Sequence, residues 1–400
     1  MTMMKKIMIL GAGIYQVPLI KKAKEMGLYT IVVSIAGDYP GFKFADKIYY
    51  VDTTDSVNVL KIAKDEKING IVTAGTDVAI PTIGKVCDVL KLHGLNYKAA
   101  KRATAKAMMK DAFVRDNVRT AKYAVCHNAD DIEKALKNMN LPVMFKAVDS
   151  SGSRGITKVD SDEPIKISEA IKKIDNVTHE NNFIIEEYID GIEFGAQSLV
   201  CNGEMKFFMP HGDYVFKGDT GVPIGHFVPY DLGEEIINDA KEQLGKAINA
   251  LGIDECAVNA DFILSNGKVY VLEIGARSGA TCLAEMVSIA YNVDYYKILI
   301  NTALEGTCND ECFETELIPV IAKLITSDKD GIIDDIILPD IKNKNIIDIN
   351  VDYSKGSKVN RFRVGPDRIG DIIVKGASLE EAQELMSDIM DKLKICIREV

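Results

Sequence analysis

Asp261-Phe262-Ile263-Leu264-Ser265-Asn266-Gly267-Lys268-Val269-Tyr270-Val271-Leu272-Glu273-Ile274-Gly275-Ala276-Arg277-Ser278-Gly279 decides how this chain is read. Two strand-forming runs flank Asn266-Gly267, the dipeptide that most strongly signals a two-residue hairpin turn. Side chains alternate along a strand, so Glu273, Gly275 and Arg277 share one face if the backbone stays extended. Asp261 on the first strand and Glu273 on the second bring two carboxylates near a cation. That set suits a hard divalent metal and a phosphate. Two solvated strand acids would read the same way.

Outward from the hairpin, 400 residues imply two to four domains. In the first hundred, short apolar runs (Ile7–Leu10, Thr30–Ser34, Ile48–Val51, Ile71–Ala74) alternate with helical stretches such as Ile14–Met26 and Val57–Lys67. This βαβ pattern predicts a doubly wound parallel sheet. Lys98 to about Ala121 reads as basic helix. Short strands then alternate with acidic helices, and residues 211–229, rich in Gly, Pro and Asp, read as one long loop. An amphipathic helix over Asp231–Leu251 leads into the hairpin. Near residue 306 the pattern changes to strands closed by a helix over Ser378–Leu393, with Ser378 and Glu381 spaced as a capping box.

The formal net charge of −11 argues against a nucleic-acid or anionic-membrane partner. Any anionic nucleotide must therefore meet locally placed cations. Eight cysteines without a Cys-x-x-Cys spacing read as reduced thiols of a cytoplasmic protein, without a zinc site. No apolar run approaches the ~18 residues of a membrane span.

Other candidates each have an ordinary competitor. Gly11-Ala12-Gly13 follows a strand and precedes a helix, but Gln16 stands where a dinucleotide fingerprint needs its third glycine. The run 149–155 is either a hairpin or a phosphate-binding flap. Lys146 in an apolar strand is either solvated or a point charge for a phosphate. Glu186-Glu187 ends a strand, where paired acids are commonly just exposed.

Taken in order, Lys106, then Lys146 with its Ser/Gly flap, then Glu186-Glu187-Tyr188-Ile189-Asp190-Gly191-Ile192-Glu193, then Asp261, Glu273 and Arg277 resemble the ATP-grasp superfamily. The resemblance is to its carboxylate–amine ligases, with biotin carboxylase, carbamoyl-phosphate synthase large subunit and L-amino-acid ligases as types. It covers roughly residues 1–305. It implies an α/β and α+β fold: a pre-ATP-grasp Rossmann-like domain over 1–98 and an ATP-grasp domain of two α+β lobes over 99–305, with a mobile lid at about 115–188. A small C-terminal α+β domain over 306–400 would follow.

The same resemblance implies roles. Lys106 and Lys146 would hold ATP phosphates, and Ser151, Gly152 and Ser153 would belong to the flap. Glu186 with the backbone of Glu187 and Ile189 would read the adenine edge, and Glu193 would meet the ribose. Asp261 and Glu273 would hold Mg²⁺ or Mn²⁺. Arg277 would be the catalytic cation, holding the transferred phosphate or the acyl substrate. The family ending Glu-x-Asn-x-Arg is altered, because Gly275 replaces the metal-binding Asn. Asn259, two residues before Asp261 and on its face, is the candidate replacement, with water as the alternative. His211, Asp213, Asp219, Thr220, Ser278, Gly279 and Asp77 are the candidate substrate contacts.

The expected activity is ATP-dependent joining of a small carboxylate to an amine through an acyl phosphate, releasing ADP and phosphate. A carboxylase, a phosphotransferase, a nucleotide-dependent oxidoreductase and a non-catalytic nucleotide-binding subunit remain alternatives. Dimers are common in the superfamily, so a homodimer is expected.

Overall fold

The computed structural model describes residues 4–148, 155–178, 181–217, 221–308, 313 and 316–399. The expected N-terminal parallel sheet is present in the order Lys47–Tyr50, Tyr29–Ser34, Lys6–Leu10, Gly70–Val72. Ile7 and Ile9 face the helix Val17–Glu25, while Met8 and Leu10 face the helices Ser56–Glu66 and Ile80–Leu90. Burial on both faces makes these strands continuous apolar runs. Gln16 fills the first strand–helix turn: Gly13 N–H donates to its Oε1 at 2.9 Å, and its amide donates to the Ala74 carbonyl at 2.5 Å. The turn amide a dinucleotide would need is thus taken by protein.

The basic helical stretch is two helices, Tyr97–Thr104 and Lys106–Arg115. Ala105, extended at φ −108° and ψ 107°, breaks them. The break sets Lys106 at a helix start, one turn from Lys110.

A four-stranded antiparallel sheet follows, ordered Tyr123–Cys126, Phe183–Glu187, Val143–Ala147, Ile156–Val159. Helices Ala129–Asn138 and Pro164–Asp175 pack on it to close a separate core around Phe145, Phe183 and Ile185.

The largest sheet has eight strands, ordered Lys268–Gly275, Cys256–Ser265, Ile192–Cys201, Glu204–Val215, Pro223–Val228, Val320–Ile325, Gly370–Lys375, Ile346–Val351. One expectation changes here. Much of the 211–229 region is strand. Its glycines serve packing: a Cβ on Gly212 would meet the Phe227 ring at 2.2 Å, and one on Gly225 the Ala322 carbonyl at 2.4 Å. Glycine composition alone does not distinguish such positions from turns. The C-terminal segment, in turn, extends this same sheet through Val320–Ile325. Its other strands, Lys358–Val359, Gly331–Ile337 and Lys394–Arg398, form a three-stranded sheet. Ser378 caps the last helix, accepting from Glu381 N–H at 3.2 Å.

Cys201 and Cys308 lie side by side, with Cα atoms 6.5 Å apart. Their separation of 107 residues gives no local signal of this proximity. No helix among the described residues is long and apolar enough to cross a membrane.

Candidate active site

Asn266 and Gly267 adopt φ of 50° and 72°, the left-handed pair that a tight hairpin turn requires. The turn fixes the register: Asp261 lies opposite Glu273, and Asn259 opposite Gly275. Leu272 is the extra residue of a bulge, since Phe262 pairs with Val271. One hairpin face therefore carries a square of Asn259, Asp261, Glu273 and Gly275. It floors a cleft of about 810 Å³ whose walls come from all parts of the chain. Tyr15 and Asp77 enter from the N-terminal sheet, Lys106 and Lys110 from the basic helix, Lys146 and Glu186 from the four-stranded sheet, and Val364 to Pro366 from the C-terminal segment.

The charges are paired across these elements. Lys106 Nζ lies 3.0 Å from Glu273 Oε1. Lys146 Nζ donates to Glu186 Oε2 at 2.8 Å, and Lys110 Nζ lies 3.5 Å from the same oxygen while donating to Thr120 Oγ1 at 2.6 Å. Burial would raise the Glu186 carboxyl, but Lys110 and Lys146 outweigh it and hold it at about 2. Burial lowers the Lys110 ammonium, with Lys146 adding repulsion, because one carboxylate serves two cations. Lys106, Lys110 and Lys146 against Glu186 and Glu273 leave one net positive charge, a fitting lining for a phosphate. Asp261 keeps surface open to the cleft although protein crowds it. Burial and the repulsion of Glu273 and Asp213 push its carboxyl above the usual range. Asp261 and Glu273, directly opposite each other across the hairpin, present two hard oxygen donors that fit a divalent cation.

Arg277 and Asp77, both expected at the substrate, are locked on each other. Nε donates to Oδ1 at 2.9 Å and Nη2 to Oδ2 at 2.7 Å. A Cβ on Gly275 would meet Asp77 Oδ1 at 2.9 Å, so glycine there makes room for this fork. Asn259 Oδ1 accepts from Gln197 Nε2 at 2.6 Å. Gln197 Oε1 in turn accepts from Gly279 N–H at 2.8 Å, which takes the donor expected to meet substrate. Ser278 points away into a cavity of about 50 Å³, where its Oγ has no hydrogen-bond partner among the described residues. Both departures follow from the path after Gly275, which turns Ser278 to the opposite face.

Two hinge expectations also shift. The Glu186 side chain is bound to lysines, and the Glu187 N–H donates to Lys122 O at 2.9 Å because strand pairing continues that far. The Ile189 N–H has no acceptor among the described residues. Glu193 is exposed on the cleft wall. Ser151, Gly152, Ser153, Asp219 and Thr220 lie outside the described residues.

His211 and Asp213 meet in the cleft with His226. Asp213 Oδ1 accepts from His211 Nδ1 at 2.8 Å and from His226 Nδ1 at 2.6 Å. Both imidazoles hold its carboxyl far below the carboxylate range, against burial. Sequence reasoning missed Lys110, Gln197 and the 364–366 wall. Of these only Lys110 left a signal: at i+4 from Lys106 it shares that helix face.

Residues 104–282 match the family Phosphoribosylglycinamide synthetase, ATP-grasp (A) domain, and residues 323–398 match L-amino acid ligase C-terminal domain 2. The crystal structure of phosphoribosylglycinamide synthetase from Anaerococcus prevotii superposes with a TM-score of 0.85 at 35% identity, over 98% of this chain and 100% of that one. This chain belongs to the ATP-grasp family. It is an ATP-dependent ligase, and its family works on ATP with a divalent metal. Other ATP-grasp relatives are more distant. A formate-dependent phosphoribosylglycinamide formyltransferase of Prochlorococcus marinus subsp. pastoris is 25% identical over 82% of both chains. The alanine–anticapsin ligase of Bacillus subtilis strain 168 is 25% identical over 70% of this chain and 65% of that one.

Proposed function

We propose that this ATP-grasp ligase joins a small carboxylate, an amino acid in the first instance, to an amine through an acyl phosphate. The square of Asn259, Asp261, Glu273 and Gly275, facing three lysines across one cleft, carries the reading. The amino-acid class is supported by the match of residues 323–398 to an L-amino acid ligase domain and by the alanine–anticapsin ligase relative. The name of the formyltransferase relative makes formate the second carboxylate to test.

Asp261 and Glu273, with Asn259 beside them, are the residues that would hold the metal, Mg²⁺ or Mn²⁺. Bound there, it would neutralise charge between the terminal phosphates of ATP. Lys106 and Lys146 grip phosphate oxygens, and Glu186 with Lys110 holds Lys146 in position. Ile189 offers its N–H to the adenine edge, and Glu193 its carboxylate to the ribose. Arg277, oriented by Asp77, sets its remaining N–H groups beside the reacting carboxylate. The four-stranded sheet over the nucleotide excludes water, since an exposed acyl phosphate hydrolyses. The unit divides as 1–98, 99–305 and 306–400, works in the cytoplasm, and pairs as a homodimer.

The test is a screen of single amino acids and formate with ATP, Mg²⁺ and hydroxylamine, reading hydroxamate and phosphate. Hydroxamate from at least one carboxylate is expected. Phosphate release without hydroxamate from any of them would reject the reading.

A further inference from the structure

Asp213, His211 and His226 form a buried group that metal and phosphate binding leave unused. His211 is 2% exposed and His226 3%, and both line the cleft. Their rings lie 5.0 Å apart, nearly perpendicular, with both Nδ1 atoms on the same Asp213 oxygen. His226 and Asp213 are also direct cross-strand partners. The distances are those of N–H···O⁻ hydrogen bonds. With Nδ1 of each ring donating, each Nε2 carries the ring's lone pair.

The two rings differ. His211 lies over Gly195, where a Cβ would meet its Cε1 at 2.2 Å, and Gly195 is the cross-strand partner of Asp261. Its Nε2 is 3.5 Å from the Gln197 amide nitrogen. His226 Nε2 has no partner among the described residues. The charged groups around His226 are Asp213 and His211 on one neighbouring strand and Lys323 on the other. Lys323 is at the register of Gly225 and lies over the Tyr214 ring at 4.1 Å. Asp261 stands across the cleft, within the field of Asp213 and His211.

Resting on the ligase reading above, we propose that His226 is the base that deprotonates the amine substrate, with Asp213 and His211 as positioning residues. An aliphatic amine arrives as an ammonium and has no lone pair to attack with. His226 Nε2 takes one proton from it. The freed nitrogen pair bonds to the acyl carbon, the bond from that carbon to the phosphate oxygen breaks, and the departing phosphate takes the second proton. Amide, hydrogen phosphate and an imidazolium result, and the imidazolium returns its proton to water. Asp213, kept ionised, stabilises the imidazolium as it forms.

The experiment compares two amines on one acyl phosphate. Hydroxylamine is neutral near pH 7 and needs no base, whereas an L-amino acid used as the amine does. With the carboxylate found in the hydroxamate screen, His226→Gln and His226→Ala are expected to keep hydroxamate formation within about twofold. Amide formation should fall about a hundredfold and recover as pH rises and free amine accumulates. Asp213→Asn should show the same split more weakly. Equal losses of both products, or unchanged amide formation, would overturn the proposal. So would recovery of His226→Gln on adding Zn²⁺ together with Zn²⁺ bound stoichiometrically to the wild type, which would make the trio a metal site. A wild type that forms no hydroxamate would reject the ligase reading itself.

Discussion

Arg277 and Asp77 join the active-site hairpin to the N-terminal sheet through two parallel hydrogen bonds of 2.9 and 2.7 Å. Gly275 supplies the space they occupy. The fork accounts for the glycine at the position where the motif was expected to hold an Asn. It also shows that a residue expected at the substrate first serves to orient its neighbour.

Removing one partner leaves a largely buried charge without its counter-ion. Asp77→Asn should destabilise the fold by about 2–4 kcal/mol. Arg277→Met with Asp77→Asn should cost at least about 1 kcal/mol less than the two singles summed. Urea titrations of the four proteins measure this directly, and strict additivity would mean the fork contributes nothing to stability.

Gly275→Asn restores the familiar motif on paper, yet its Cβ would strike Asp77 Oδ1. It should therefore lose activity on the order of a hundredfold, without improved metal affinity. Asn259→Ala should raise the metal concentration for half-maximal rate about tenfold. An unchanged metal titration would assign that position to water.

Glu186 gives the pH dependence a sign. Its carboxyl is held at about 2 in the folded chain, below its ordinary value near 4.5. Its contribution, on the order of 3 kcal/mol, is present above about pH 4.5 and is lost as pH falls towards 2. Glu186→Gln should lower stability at neutral pH and flatten the stability curve in that acid window. Melts across the window would show parallel curves if the carboxylate were unpaired.

Lys110 is buried beside Lys146, and both share one carboxylate. When Lys110 is replaced, Glu186 keeps Lys146 as its partner at 2.8 Å, so no buried charge is left uncompensated. Lys110→Met should accordingly keep its melting temperature while the KM for ATP rises about tenfold. A fallen melting temperature with unchanged KM would make Lys110 purely structural.

The sequence disclosed the hairpin because Asn266-Gly267 is a local signal and register follows from turn length. It disclosed Lys106, Lys146, Asp261 and Glu273 by their order. It did not disclose how they pair. Lys146 and Glu186 are 40 residues apart, and sheet pairing alone brings them together. Gly212 and Gly225 read as loop residues because composition does not distinguish a turn glycine from one that admits a neighbour's ring. The continuity of the large sheet through Val320–Ile325 rests on one antiparallel pairing with Pro223–Val228, a strand whose proline and glycine concealed it.

The most direct test of the acyl-phosphate account is the fate of a carboxylate oxygen. The active carboxylate, labelled with heavy oxygen, is turned over with ATP, metal and amine, and the phosphate is weighed by mass spectrometry. Each phosphate released should carry one heavy oxygen taken from the carboxylate. Unlabelled phosphate alongside amide product would contradict the account.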